Sequence, residues 1–195
     1  MIPTPPDPER PLFREIAKPG TVQSLTMGNM GGYMAAPPLF DSREAHAAEI
    51  GGAGGITNAR GLAGMYEPLA LGGKKGSVEL VNTDTLERMG RVSSATGEDA
   101  VLLMPTRFAL GFMKTMDNRK GPAGVQDSVL ISEEAFGHVG AGGSFGFADP
   151  KAGMAFGYTM NKMGPGLALN ERGQSLVDAV YRALGYQSDA SGAWR

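Results

Sequence analysis

A glycine-rich run near the C-terminus carries the groups in this chain best suited to chemistry. It extends from Phe136 to Phe147 and reads Phe-Gly-His-Val-Gly-Ala-Gly-Gly-Ser-Phe-Gly-Phe. It contains His138, one of the chain's two histidines, and its glycines mark turns and close approach of the backbone. A lone histidine in a strand more often packs under the sheet or faces solvent. The role of His138 therefore depends on the residues around it.

The same run contains a second motif with a different meaning. Residues 142–146 satisfy Gly-x-Ser-x-Gly, the turn that presents the nucleophile in α/β-hydrolases. That turn needs a strand before it, a helix after it, and an Asp and then a His later in the chain. Here the alternation after Ser144 predicts a strand, and both histidines, His46 and His138, precede the serine. We therefore interpret these glycines as hairpin residues.

Composition narrows the possible functions. The net charge is −2, and the basic residues are scattered, so the chain has no basic surface for nucleic acid or membrane lipid. No cysteine is present, which excludes disulfides, thiolate metal sites and a Cys nucleophile. Two histidines without clustered carboxylates predict no metal site, and the glycine clusters lack the pattern of phosphate-binding loops. We expect no cofactor and a small-molecule partner.

The location is expected to be cytoplasmic. The first eight residues are Pro-rich and acidic, unlike a secretory signal, and no apolar stretch approaches the length of a membrane span.

Periodicity predicts the elements that position the glycine-rich run. Helices are predicted over residues 57–71, 82–89 and 171–184, and strands over 105–113, 144–148 and 154–160. The sequence from Asp149 to Gly153 predicts a tight turn, so the last two strands should form an antiparallel hairpin. Its small-residue face, with Gly146 and Ala148, should accept a helix closely, and the helix from Glu171 is available.

The predicted organisation has three parts. Residues 1–40 carry most of the prolines and should be mostly loop, residues 41–186 form the folded part, and residues 187–195 form a frayed tail that Trp194 could anchor.

His138-Val139-Gly140, followed by the hairpin, resembles the third conserved box of the serine β-lactamase-related hydrolases. This family includes penicillin-binding proteins, serine β-lactamases and β-lactamase-like carboxylesterases. Residues 53–63, Ala-Gly-Gly-Ile-Thr-Asn-Ala-Arg-Gly-Leu-Ala, resemble the helix entry of the esterase-like branch. Roughly residues 45–186 can be laid on the second half of the family. The resemblance implies an α+β fold, an antiparallel sheet flanked by helices that forms part of a β-lactamase/transpeptidase-like fold.

The resemblance also implies roles for three residues. The backbone N–H of Ala141 would be one donor of the oxyanion hole, Gly140 would leave room for substrate, and His138 would orient it. Val139 stands where Thr or Ser is common, so a hydroxyl contact to a substrate carboxylate is missing. This favours a neutral ester over a β-lactam.

The family's other boxes have no counterpart in these residues. No Ser-x-x-Lys occurs, and the only Tyr-x-Ser, Tyr186 to Ser188, follows the last predicted helix. We therefore assign no catalytic residue and expect the C-terminal portion of an esterase-like serine hydrolase that is inactive alone. The partner would be a small ester or amide, and a sheet edge left open could cause self-association. The alternative is a noncatalytic remnant or a small-molecule binding module.

Overall fold

The computed structural model describes residues 7–28 and 42–195. Within these ranges the helices are α1 (Pro11–Ile16), α2 (Val22–Gly28), α3 (Arg43–Ala47), α4 (Ala59–Ala70), α5 (Thr83–Gly90) and α6 (Glu171–Ala183). The strands are β1 (Lys74–Lys75), β2 (Val78–Glu79), β3 (Ser94–Thr96), β4 (Thr106–Phe108), β5 (Phe136–Val139), β6 (Phe145–Asp149) and β7 (Met154–Tyr158). The predicted α+β class is confirmed.

The three longest helices of the described residues begin in the same way. Asn58, Asn82 and Asn170 each stand at the N-cap, with the side-chain oxygen accepting a hydrogen bond from a backbone N–H three residues later. An asparagine in this position satisfies an amide that the first turn of a helix leaves unpaired. The helices predicted at 57–71, 82–89 and 171–184 are confirmed within a few residues.

The central sheet is antiparallel, with the order β5-β6-β7. Met113 continues it outward, because its backbone exchanges hydrogen bonds of 2.6 and 3.1 Å with Gly137, and it also bridges to Phe108 at the end of β4. The predicted hairpin of β6 and β7 is confirmed. Its turn ends at Gly153, whose φ of +59° is the left-handed conformation that favours glycine.

The two faces of the hairpin differ in side-chain size. Gly146 of β6 is paired with Gly157 of β7, and helix α4 packs against this face. A Cβ on Gly157 would lie 2.3 Å from the carbonyl oxygen of Ala59, and a Cβ on Gly146 would lie 2.5 Å from the ring of Tyr66. The close approach of a helix is confirmed, but the prediction that it is the helix from Glu171 was wrong. That helix follows the aromatic face instead.

The aromatic face of the sheet packs on α6. Phe147 stacks at 6.1 Å from the ring of Tyr181, which in turn stacks at 5.8 Å from Trp194. Burial of aromatic rings in offset contact supplies much of the stability of such a core. Sequence periodicity gave both helices an apolar stripe but did not indicate which sheet face each one covers.

The C-terminal tail is docked, so the prediction of a frayed tail was wrong. Trp194 is buried, and its backbone N–H donates to the carbonyl of Ile131 over 3.1 Å. Its indole N–H donates to Asp178 on α6. The side chain that could anchor the tail does so.

A buried carboxylate links four parts of the fold. Asp149, at the end of β6, is fully buried. One oxygen accepts hydrogen bonds from the hydroxyls of Ser132 (2.7 Å) and Tyr181 (2.8 Å), and the other accepts from the backbone N–H of Ala152 in the hairpin turn (3.0 Å). Burial, followed by the charge of Asp149, raises the pKa of Tyr181 well above its usual value.

Two further predictions need correction. The strand predicted over 105–113 ends at Phe108, because Gly111, with a φ of +79°, turns the chain back and Ala109 donates to Phe112 across a tight turn. The N-terminal segment is also not simply loop, since residues 7–28 contain α1 and α2. Residues 1–6 and 29–41 lie outside the described residues.

None of the helices in the described residues is long and apolar enough to cross a membrane. The cytoplasmic location stays a prediction.

We expect Gly157→Ala to destabilise the fold by about 1–3 kcal/mol, because its methyl group would push the first turn of α4 off the sheet. Gly64→Ala is the matched control, since this α4 glycine is exposed and a Cβ there meets nothing within 4 Å. Alanine at Gly64 should stabilise the helix by about 0.5–1 kcal/mol. Urea unfolding followed by circular dichroism measures both. Equal effects of the two substitutions would contradict the close helix–sheet contact.

Candidate functional site

The residues predicted to form the site lie together where β5 ends. His138 belongs to the strand, and Gly140 and Ala141 lead into the turn towards β6; all three are exposed. Val139 is 7% exposed and belongs to the core with Phe145. Alternation along the strand produces this division, because successive side chains point to opposite faces. His138 therefore shares the α4 side of the sheet with Phe136.

The turn after β5 is held by its own backbone. The N–H of Gly140 donates to Ser144 over 2.7 Å, and the N–H of Gly143 donates back to Gly140 over 2.9 Å. Gly142 and Gly143 have φ values of +89° and +112°, which only glycine adopts readily. In the described part of the chain, the N–H of Ala141 donates no hydrogen bond to another residue. That amide remains available to a ligand.

Helix α6 fixes this turn from the side. The side-chain amide of Asn170, the N-cap of α6, donates to the carbonyl of Gly142 over 2.8 Å, while its oxygen accepts from Gly173. A Cβ on Gly143 would lie 2.1 Å from the amide nitrogen of Asn170. An N-cap before the last helix could have been read from the sequence, but its second bond to the turn could not.

The ring of His138 has a defined orientation. Its Nδ1 lies 2.7 Å from the carbonyl oxygen of Val139. A carbonyl can only accept, so Nδ1 carries the proton and Nε2 of the neutral ring is left with a lone pair. The ring lies 6.2 Å from that of Phe108 at a tilted angle. His138 thus faces solvent and does not pack under the sheet.

Tyr66 lies beneath this strand and was missed by the sequence analysis. It is buried on α4, and burial raises its pKa to about 12, while a hydrogen bond with the backbone of His138 acts in the opposite direction. Its phenol is therefore neutral at physiological pH and supports the strand as a hydrogen-bonding group.

Ser144 does not have the surroundings of a nucleophile elbow. Strand β6 begins at the next residue, as the hairpin interpretation requires. The hydroxyl contacts the sulfur of Met160 and accepts from the backbone N–H of that residue over 3.4 Å.

Two other features of the described residues bear on the site. Tyr186 packs edge-on against Tyr181, on the α6 side of the sheet, and so lies on the face opposite His138.

Within residues 7–28 and 42–195, no group of three or more His, Cys, Asp or Glu side chains could hold a metal ion.

The chain is similar in sequence and in structure to known β-lactamase-related proteins. The profile of the family described as Beta-lactamase matches residues 9–180. The chain is 30% identical over 151 residues to the esterase/beta-lactamase LipL of Mycobacterium tuberculosis, a match that covers 77% of this chain and 29% of LipL. The crystal structure of a family VIII carboxylesterase is similar with a TM-score of 0.62 and 37% identity, over 72% of this chain and 36% of that one.

A penicillin-binding protein homologue from Caulobacter crescentus is also similar in structure. The TM-score is 0.54 at 32% identity, with 64% of this chain and 31% of the homologue covered. The chain thus spans about a third of the length of each of these relatives.

We expect Asn170→Asp to loosen the turn after β5 without uncapping α6. The carboxylate still accepts from Gly173, but it has no hydrogen to donate to the carbonyl of Gly142. Amide hydrogen exchange of Gly143 and Gly164 should rise about tenfold, as the loss of one hydrogen bond implies, while that of Gln174 in the first turn of α6 should not change.

Asn82→Asp is the matched control for this substitution. Asn82 caps α5 in the same way, but its side chain makes no bond to the turn after β5. Unchanged exchange at Gly143 in Asn170→Asp would show that the cap does not hold the turn.

Proposed function

Because the chain belongs to the beta-lactamase family, we propose that it is the C-terminal portion of an esterase-like serine hydrolase. In such an enzyme a serine attacks the ester carbonyl, and water then releases the acyl group. The observation that supports this most directly is the exposed end of β5, where the unpaired N–H of Ala141 lies next to a glycine and an oriented histidine. That arrangement can stabilise an oxyanion.

Each of the three residues has a proposed role. The N–H of Ala141 donates to the oxyanion that develops on the carbonyl oxygen. Gly140 leaves space for the acyl group, because a Cβ there would meet only Ser144, and nothing closer than 3.8 Å. His138 presents Nε2 to the substrate and orients it, with Nδ1 held by Val139.

The proposed substrate is a neutral ester. Val139 has no hydroxyl, and its side chain is packed in the core, so it offers no hydrogen bond to a substrate carboxylate. A β-lactam would need that contact more than an ester of an uncharged acid. The description of LipL as an esterase/beta-lactamase keeps both substrate classes within the family.

We propose that the nucleophilic serine is absent from this chain. The 195 residues contain no Ser-x-x-Lys, and the match covers only about a third of each of the relatives above. The chain alone would then bind a substrate without forming an acyl-enzyme. The alternative is a noncatalytic remnant or binding module, which would keep the same sheet and site wall without any link to a catalytic serine.

We expect the purified chain to lack saturable esterase activity on a short p-nitrophenyl ester. Oxyanion stabilisation and binding alone leave little of a serine hydrolase's rate. The Ser144→Ala variant is the control. Turnover by the purified chain that persists in Ser144→Ala would contradict a missing nucleophile, and turnover lost in Ser144→Ala would make Ser144 that nucleophile.

Sequencing the coding DNA in front of Met1 would distinguish the hydrolase from the noncatalytic alternative. An in-frame Ser-x-x-Lys segment supports the hydrolase, and a stop codon without such a segment supports the noncatalytic alternative.

In the polypeptide that carries both halves, Gly140→Val should lower kcat/KM at least about 10²-fold, the usual effect of losing one oxyanion donor. The added side chain would fill the space beside the Ala141 amide, and Gly140 is not one of the glycines in the left-handed conformation, so valine can adopt its backbone geometry. His138→Ala should change substrate preference more than rate. A Gly140→Val protein that is folded by circular dichroism and has undiminished kcat/KM would show that this strand does not line the active site.

We also propose that the chain alone associates through the free edge of β7. In the described residues the backbone of β7 pairs only with β6, so its outer edge presents unpaired amides and carbonyls. Exposed apolar side chains elsewhere in the described residues, including Ile56 and Met65, would add to association. We expect dimers or aggregates in sedimentation velocity. A monodisperse monomer with a sharp thermal transition would contradict this and support the binding module.

A further inference from the structure

A cavity lies at the start of β5, whereas His138, Gly140 and Ala141 lie at the other end of this strand. It has a volume of about 440 Å³ and is lined by Leu86, Glu87, Gly90, Arg91, Lys114, Glu133, Glu134, Phe136 and Pro150. Leu86 and Phe136, both buried, give it an apolar floor, and exposed residues of α5 form its rim. None of the residues proposed to act in ester hydrolysis lines it.

Lys114 is the unusual member of this cavity. The residue is only 3% exposed, and its Nζ lies over the ring of Phe136, 6.0 Å from the centroid. Among residues 7–28 and 42–195, no side chain or carbonyl forms a hydrogen bond or ion pair with Nζ. Nζ is not among the fully buried atoms that lack a partner, and Lys114 lines the cavity, so the amine can be reached from it. The lone pair of the neutral amine is therefore not engaged.

The electrostatic surroundings favour the neutral amine. Burial, followed by the nearby charge of Arg107, lowers the pKa of Lys114 to about 8, although the charges of Glu133, Glu134 and Asp149 act in the opposite direction. Near pH 8 roughly half of the Lys114 amines would be uncharged, compared with under about 1% for an ordinary lysine. A neutral amine is a nucleophile.

The lining of the cavity also restricts what can bind there. Three glutamates, Glu87, Glu133 and Glu134, face it against one arginine. Glu133 pairs with Arg107 at 2.9 Å and Glu134 pairs with Lys151 at 3.5 Å, so neither is ion-paired with Lys114. The floor of Leu86 and Phe136 suits the apolar body of an uncharged compound.

We propose that Lys114 forms an imine with a small apolar aldehyde or ketone bound in this cavity. The lone pair of Nζ adds to the carbonyl carbon and gives a carbinolamine. The carbonyl oxygen then leaves as water with the two hydrogens of the amine, and a carbon–nitrogen double bond remains. The step needs no oxidant or reductant, and water reverses it.

The experiment uses benzaldehyde as the probe and sodium cyanoborohydride to trap the imine at pH 8. Tryptic mapping by mass spectrometry then gives the rate of benzylation at each lysine. Lys114 has far more neutral amine than exposed lysines such as Lys75 and Lys151 but a less basic one, so we expect it to react about ten-fold faster. Benzylation of Lys114 at or below the rate of these exposed lysines would overturn the proposal.

Two variants of α5 test the route through the cavity. Glu87→Trp places an indole at the rim and should slow benzylation of Lys114 several-fold. Arg88→Trp is the matched control, because Arg88 is its exposed neighbour and does not line the cavity. Equal labelling of Lys114 in the two variants, both folded by circular dichroism, would overturn the assignment of the cavity as the binding site.

A stability measurement supplies an independent readout of the desolvated amine. With a pKa lower in the folded chain than in the unfolded one, the wild type should gain stability relative to Lys114→Met as pH rises from 8 to 10, because the unfolded state then binds more protons. A difference between the two proteins that does not depend on pH would overturn the premise that the amine is desolvated.

Discussion

The buried carboxylate of Asp149 is the interaction on which the arrangement of this fold depends. Transfer of a carboxylate from water into a protein interior costs several kcal/mol, so it persists only where hydrogen bonds replace its water. Here three donors do so: two hydroxyls, from Ser132 and Tyr181, and one backbone amide in the hairpin turn. These donors belong to the segment before β5, to α6 and to the β6–β7 turn. This one side chain therefore ties the segment before β5 to α6 and to the turn of the hairpin.

The two faces of the sheet are covered by different elements. Its aromatic face is filled by α6 and Trp194, and its glycine face is covered by α4 at the distance that Gly146 and Gly157 allow. Along β5, Val139 lies in the core and His138 is exposed to solvent. Because Asn170 holds the following turn from α6, the exposed end of the strand is positioned from both faces. A site made of backbone and one imidazole needs such support to keep its geometry.

Sequence periodicity predicted the elements better than their partners. The hairpin, the helices near 59–70 and 171–183, and the hairpin role of the glycines around Ser144 follow from local pattern and turn chemistry, which act over a few residues. The face that each helix covers depends on how closely segments far apart in the chain can approach each other. The glycine face was therefore assigned from the sequence to the helix from Glu171, although α4 covers it. The frayed tail was wrong for the same reason, since Trp194 is anchored by Ile131 and Asp178. Asn170 and Tyr66 act through contacts far along the chain, which local pattern does not reveal.

The glycine pair of the hairpin also shapes the order in which the molecule should open and close. Strands β5, β6 and β7 are consecutive and joined by short turns, so little loop entropy opposes their assembly. Helix α4 must return to Gly146 and Gly157 from a distant part of the chain, and its side chains Leu62 and Tyr66 fill the space that Gly146 leaves. We therefore expect the hairpin to form before α4 docks on it. Release of α4 would be a partial unfolding event that bares the glycine face while the aromatic core stays closed.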